Sequence, residues 1–167
     1  FPEYISDPSW NKKSKNILIS FGGVSDISLL NIEEYIEIAQ NFGKVFLMDP
    51  LSKLYKLEKK NVKLIQNKSL SEVLSKYEFL FAIIAGGTSK YILSAYGIPS
   101  LFVSRNELEE IEIKKFLDKQ LSFDKALLED NYEENKFMSK LENISNNIQD
   151  LVNKDNAERL NRALYEL

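Results

Sequence analysis

An unbroken apolar run, Phe79-Leu80-Phe81-Ala82-Ile83-Ile84-Ala85, ends on Gly86-Gly87, and Thr88-Ser89 follow at once as a helix opening. A strand without polar alternation is buried on both faces, and such strands belong to parallel sheets covered by helices. The same design occurs earlier, where Ile17-Leu18-Ile19-Ser20-Phe21 gives way to Gly22-Gly23. Glycine has no Cβ, so an anion can approach the backbone of such a turn. The helix start behind it offers free N–H groups at the positive end of a dipole. Two of these turns in one chain predict a cleft for a phosphorylated ligand. Gly-rich turns also join strands to helices in α/β proteins that bind nothing there, so spacing alone leaves both readings open.

Between and beyond the two turns, strand and helix signals alternate. Asn31-x-x-Glu34 resembles a capping box and opens a helix carrying Ile32, Tyr35, Ile36 and Ala39, whose true start could lie earlier, near Asp26 or Ser28. Gly43 ends that helix, and Lys44 to Met48 reads as a second strand. Leu51 to Lys59 reads as a helix, Val62 to Ile65 as a short third strand, and Ser69-x-x-Glu72 as the start of another helix. Phe79 to Ile84 is the fourth strand, Thr88 to Tyr96 the helix after it, and Pro99 to Val103 the fifth strand. Asn106 to Gln120 is a charged amphipathic helix with Leu108, Ile111, Ile113, Phe116 and Leu117 available for burial. Leu121-Ser122-Phe123 is a candidate edge strand. Helices should fill the tail, with Met138, Leu141, Ile144, Ile148, Leu151 and Val152 on one face and a terminal helix from Asp155-x-x-Glu158. The expectation is a Rossmann-like, doubly wound parallel sheet over residues 16–125, an extended lead-in over 1–15 and C-terminal helices over 126–167. Trp10 is expected to cap an edge of the core, and Phe21, Phe79, Phe81 and Phe102 to lie inside it. A start on Phe1 rather than Met suits a part of a longer protein.

Composition narrows the chemistry. The 167 residues carry 44% hydrophobic and 28% charged side chains, as expected for one soluble domain, and the net charge of -3 argues against general nucleic-acid affinity. No apolar run reaches the ~18–20 residues that span a bilayer. The chain has no cysteine, which fits a cytoplasmic setting, and no histidine. Ser-His-Asp and Cys-His catalysis are therefore impossible within it, and proton transfer would fall to Asp, Glu, Lys or Tyr.

Three stretches resemble the C-terminal half of GT-B glycosyltransferases. Ile17 through Asp26 is similar to that family's first strand and loop. Ile84-Ala85-Gly86-Gly87-Thr88-Ser89 through Ala95-Tyr96-Gly97-Ile98-Pro99-Ser100 is similar to its nucleotide-binding strand, turn and helix, and Asn106-Glu107 resembles the Asn-Gln or Asp-Gln step that follows. The nearest subgroup is the UDP-sugar hydrolase of pseudaminic acid biosynthesis, followed by related spore-coat polysaccharide proteins and the lipid II glycosyltransferase. The resemblance runs from about Asn16 to Gln120. It implies that Gly22, Gly23 and Ser25 face a sugar-phosphate, with Asp26 as a sugar-hydroxyl acceptor. It further implies that Gly86, Gly87, Thr88 and Ser89 receive the diphosphate of a UDP-sugar and that Asn106 and Glu107 stand near the sugar. No metal or cofactor is implied; the implied partner is an N-terminal GT-B domain supplying a catalytic histidine.

The chain departs from the pattern at two positions. Ile92 stands where the family commonly carries a ribose-binding Glu, and Glu107 replaces the expected Gln. Those departures keep a second reading in view, a non-catalytic domain of the same fold acting as an interaction or scaffolding module. Each site residue also has a plainer role. Thr88, Ser89 and Asp26 suit helix caps or turns, Asn106 with Glu109 forms a capping pair, and Lys90 suits a solvated surface as well as a diphosphate. Glu107, Glu109 and Glu110 make an acidic cluster that a helix dipole alone would favour, or that a general base or magnesium site would use.

Overall fold

Five parallel strands organise the molecule in the order β3-β2-β1-β4-β5. The computed structural model describes residues 10–22, 31–48, 57, 60–129 and 134–153. Strand β1 (Asn16–Ser20) is followed by α1 (Ile32–Gln40), β2 (Lys44–Met48), β3 (Val62–Ile65) and α2 (Leu70–Leu74). Then come β4 (Phe81–Ala85), α3 (Ser89–Ala95), β5 (Ser100–Val103), α4 (Glu107–Asp118), α5 (Ala126–Glu129) and α6 (Glu134–Asn153). β1 pairs with β2 through Ile17↔Val45 and with β4 through Ile17↔Phe81. The sequence reading of a doubly wound, Rossmann-like sheet is therefore correct. Every residue of β4 is buried, as a strand covered on both faces requires.

Core packing follows from these apolar strands. Phe21, Phe79, Phe81 and Phe102 are all buried, as expected, and Phe81 meets Phe42, Phe123 and Phe137 edge-on. Such tilted contacts let ring edges meet ring faces and add to the area buried. Trp10 packs against the core and donates its indole N–H to the Leu80 carbonyl at 2.7 Å, tying the lead-in to the start of β4. Helix α6 buries Phe137, Leu141, Ile144 and Ile148, a stripe of helical period, and packs on α3. Ser145 Oγ of α6 donates to the Gly97 carbonyl, just beyond α3, at 2.9 Å.

Several expectations need correction. Leu121-Ser122-Phe123 forms no strand, only a single parallel bridge, Leu101↔Phe123. Gln120 takes a left-handed backbone and Leu121 returns its N–H to Phe116 O, so the chain is still leaving α4 there, and α5 begins only three residues past Phe123. Leu108 and Ile111 are not buried but 76% and 56% exposed. At about 100° per residue they point away from the face carrying Ile113 and Phe116. Asn31 makes no side-chain cap; it adopts φ 44°, ψ 51°, and its Nδ2 donates to Glu34 Oε2 at 2.6 Å instead. The capping box at Ser69 is complete: Glu72 N–H donates to Ser69 Oγ at 3.2 Å, and Ser69 N–H to Glu72 Oε2 at 2.8 Å. The helix expected at Leu51–Lys59, apart from Leu57, and that from Asp155 fall outside the described residues.

Candidate functional site

The order β3-β2-β1-β4-β5 reverses direction between β1 and β4, so the connections leaving these neighbours diverge. In open parallel sheets that divergence leaves a crevice at the carboxyl ends of the strands. Ser20 pairs with Ile84, so the turns after β1 and β4 lie side by side there. The sheet thus brings Gly22 and Gly86-Gly87 to one edge. Gly22 is exposed, at φ +65° with open space where a Cβ would stand. Gly23, Ser25 and Asp26 fall outside the described residues.

After β4 the chain closes tightly. Gly86 N–H donates to Val103 O at 2.9 Å, fixing the turn to β5. A Cβ on Gly86 would lie 3.1 Å from Ile113 Cδ1 and 3.2 Å from Glu109 Oε2, a tight fit that α4 side chains admit only by shifting. A Cβ on Gly87 would meet only the Arg105 guanidinium, at 3.1 Å from Nη2. Among the described residues, the N–H groups of Gly87, Thr88 and Ser89 donate to no protein acceptor. Thr88 makes no side-chain cap, so the plain capping role is absent. Thr88 is exposed, and Gly87 and Ser89 are half-buried.

Charged groups from the segment after β5 and from α4 surround the turn. Glu109 accepts from Arg105 N–H and Nε at 2.9 Å each and also pairs with Arg105 Nη2. Those hydrogen bonds hold the Glu109 carboxyl below its ordinary range and push the guanidinium above its own. Asn106 Oδ1 accepts Glu109 N–H at 3.0 Å, but the Glu109 carboxylate turns to Arg105, so only half of the capping pair forms. Glu107 and Glu110 are exposed in the first turn of α4, where the helix dipole favours carboxylates. No group of three or more metal-ligating side chains converges among the described residues.

Two residues differ most from their sequence reading. Lys90, taken as either solvated or diphosphate-facing, is 2% exposed; its Nζ donates to Gly86 O at 2.7 Å and pairs with Glu112 of α4. Arg105, which sequence reasoning passed over, brings its guanidinium to 3.1 Å from where a Gly87 Cβ would stand. Its signal was the i, i+4 spacing to Glu109 directly after a strand. For Lys90 no local signal exists, because Glu112 stands far along the chain. Ile92 packs its side chain against the core, half-buried. A separate open cleft of about 510 Å³, lined by Trp10, Glu78, Glu142 and Gln149 among others, lies at the amino ends of β1 and β4.

No protein-family model matches this chain, and no curated protein matches its sequence. Solved structures do. The spinosyn rhamnosyltransferase SpnG matches with a TM-score of 0.60 at 13% identity, over 92% of this chain and 45% of its own. The glycosyltransferase SnogD from Streptomyces nogalater matches at 0.55 and 14% identity, over 89% and 42%. SsfS6 from Streptomyces sp. SF2575, solved with thymidine diphosphate, matches at 0.56 and 14% identity, over 86% and 40%. The chain thus spans less than half of the structures it matches. At such identities the likeness shows the fold, which is that of one half of a GT-B glycosyltransferase. Among the described residues no helix is long and apolar enough to cross a membrane.

Proposed function

We propose that this chain is the nucleotide-sugar-binding, C-terminal half of a GT-B enzyme and receives the diphosphate of a UDP-sugar at the Gly86–Ser89 turn. One observation carries the reading: three adjacent amides, on Gly87, Thr88 and Ser89, have no protein acceptor among the described residues, at the divergence point of the sheet and beside Arg105. Backbone donors held in place by a rigid turn stabilise charge on a diphosphate leaving group without reorganising. A partner domain would supply the base and the acceptor site, since the chain has no histidine. Residues 16–125 form the binding unit in this reading, with 126–167 packed on it; Gly22, Gly23, Ser25 and Asp26 line the sugar side, and Asn106 and Glu107 flank it. The finer assignment, to a UDP-sugar hydrolase akin to that of pseudaminic acid biosynthesis or to a cell-surface glycosyltransferase, rests on the sequence motifs.

Calorimetry with UDP and UDP-N-acetylglucosamine tests the proposal. Weak but saturable heat is expected, with NMR shift changes confined to Gly87–Ser89, Arg105 and their neighbours; no heat at millimolar ligand overturns it. A second reading, a non-catalytic scaffold of the same fold, is favoured by Ile92 packing half-buried against the core and by the exposed Leu108 and Ile111 on α4. Ile92→Glu separates the two: it should strengthen UDP binding if the remaining site is intact and leave a scaffold unresponsive.

A further inference from the structure

We infer that Lys90 is the positioning residue that aims the Gly87 amide outward, by holding the Gly86 carbonyl from inside the protein. Its bearing on a ligand rests on the nucleotide reading above, whereas the peptide orientation does not. Lysine is almost never fully buried unless paired, yet Lys90 is 2% exposed. Its ammonium has two partners, the Gly86 carbonyl at 2.7 Å and the Glu112 carboxylate, and lies 4.8 Å from the Tyr91 ring centroid. In a regular helix the carbonyl of Gly86 would take the backbone N–H of Lys90, four residues on. Here that N–H goes to Gly87 O at 3.3 Å, and the side chain of the same lysine takes Gly86 O instead.

Geometry supplies the consequence. A trans peptide directs its C=O and its N–H to opposite sides, and no described peptide bond is cis. Once the Gly86 carbonyl points to a buried ammonium, the Gly87 N–H must point the other way. On that side it meets no protein acceptor among the described residues. A Gly-Gly peptide needs such a restraint, because without Cβ on either side its plane rotates at little steric cost. The hydrogen bond from Gly86 N–H to Val103 O restrains the preceding peptide only.

The experiment is NMR on the 15N-labelled chain, without ligand and then with UDP, for Lys90→Met and Glu112→Gln. In Lys90→Met the Gly87 amide resonance should move further than those of Leu93 to Ala95 at the far end of α3. UDP affinity should fall about tenfold, the scale of one oriented hydrogen bond to a charged group. Glu112→Gln still offers Lys90 an acceptor, so Gly87 should keep its resonance and affinity should change less than about twofold. A folded Lys90→Met protein with an unmoved Gly87 resonance overturns the inference. Should Lys90→Met fail to fold, Glu112→Lys takes its place, repelling the ammonium from a half-exposed position; Gly87 must then move, or the inference falls. Wild-type chain that ignores UDP removes the nucleotide reading alone, because the ligand-free Gly87 resonance still decides the role of Lys90.

Discussion

Helices α2 and α3 both begin with a hydroxyl residue after a turn, yet they end their backbones in opposite ways. At α2, Ser69 and Glu72 satisfy each other's N–H groups and the helix start is self-sufficient. At α3, Thr88 caps nothing, and the amides of Gly87, Thr88 and Ser89 stand open among the described residues. Unsatisfied donors cost stability unless water or a ligand meets them. The protein thus completes a helix start where only folding is at stake and leaves one unfinished at the divergence point of its sheet. The contacts there come instead from side chains: Lys90 donates to the Gly86 carbonyl, and Arg105 with Glu109 lies beside the turn.

The comparison can be broken in several ways. The largest effect is expected for Gly86→Val. Ile113 and Glu109 already sit 3.1–3.3 Å from an added Cβ, so thermal unfolding should show a loss of about 1–3 kcal/mol. An unchanged melting temperature would mean that α4 does not hold the turn. Next comes Arg105→Gln, which removes the cation beside Gly87 and leaves Glu109 the backbone N–H of residue 105 but no guanidinium. UDP affinity by calorimetry should fall about tenfold, equivalent to roughly 1.4 kcal/mol, and equal affinity would exclude Arg105 from the anion site. The paired caps come third. Ser69→Ala should cost about 1 kcal/mol in chemical denaturation, whereas Thr88→Ala should cost almost nothing, since that hydroxyl caps no amide. Equal losses would erase the contrast between the two helix starts.

The smallest effect concerns pH. Hydrogen bonds from the Ser69 amide and hydroxyl, aided by Lys68, hold the Glu72 carboxyl below its ordinary value of 4.5. A carboxyl depressed in the folded state stabilises above its unfolded pKa, and that contribution is lost as pH falls through the folded value. Melting temperatures of wild type and Glu72→Gln should therefore differ most above about pH 4.5 and converge in more acidic buffer. A gap that widens on acidification would show that the box does not depend on the charge.

The sheet was legible because apolar runs without alternation leave few alternatives. Lys44–Met48 and Val62–Ile65 were read to the residue, and the helix start at Ser69 followed from the Ser69-x-x-Glu72 spacing, which the structure closes into a full capping box. Asn31-x-x-Glu34 has the same spacing and failed: the asparagine turns left-handed, and Glu34 pairs with Lys125, 91 residues along the chain. Local pattern cannot report a partner that arrives from elsewhere in the sequence. The same limit hid the site's electrostatics. Lys90 looked solvated because Glu112 is brought to it only by the packing of α3 and α4 around β4 and β5. Leu108 and Ile111 looked like core because apolar character was counted without its angle around the helix.

The pairing of β1 has a consequence for synthesis. Ile17 finds Val45 soon after it leaves the ribosome, but its other neighbour, Phe81, emerges much later. Through that interval β1, β2 and β3 can form a half-sheet whose open flank is β1, apolar through Ile17, Leu18 and Ile19, with unpaired N–H and C=O groups. Such flanks recruit strands from other chains. Ribosomes paused before Phe81 is translated should therefore yield aggregation-prone nascent chains, and arrival of the fourth strand is the event that ends the hazard.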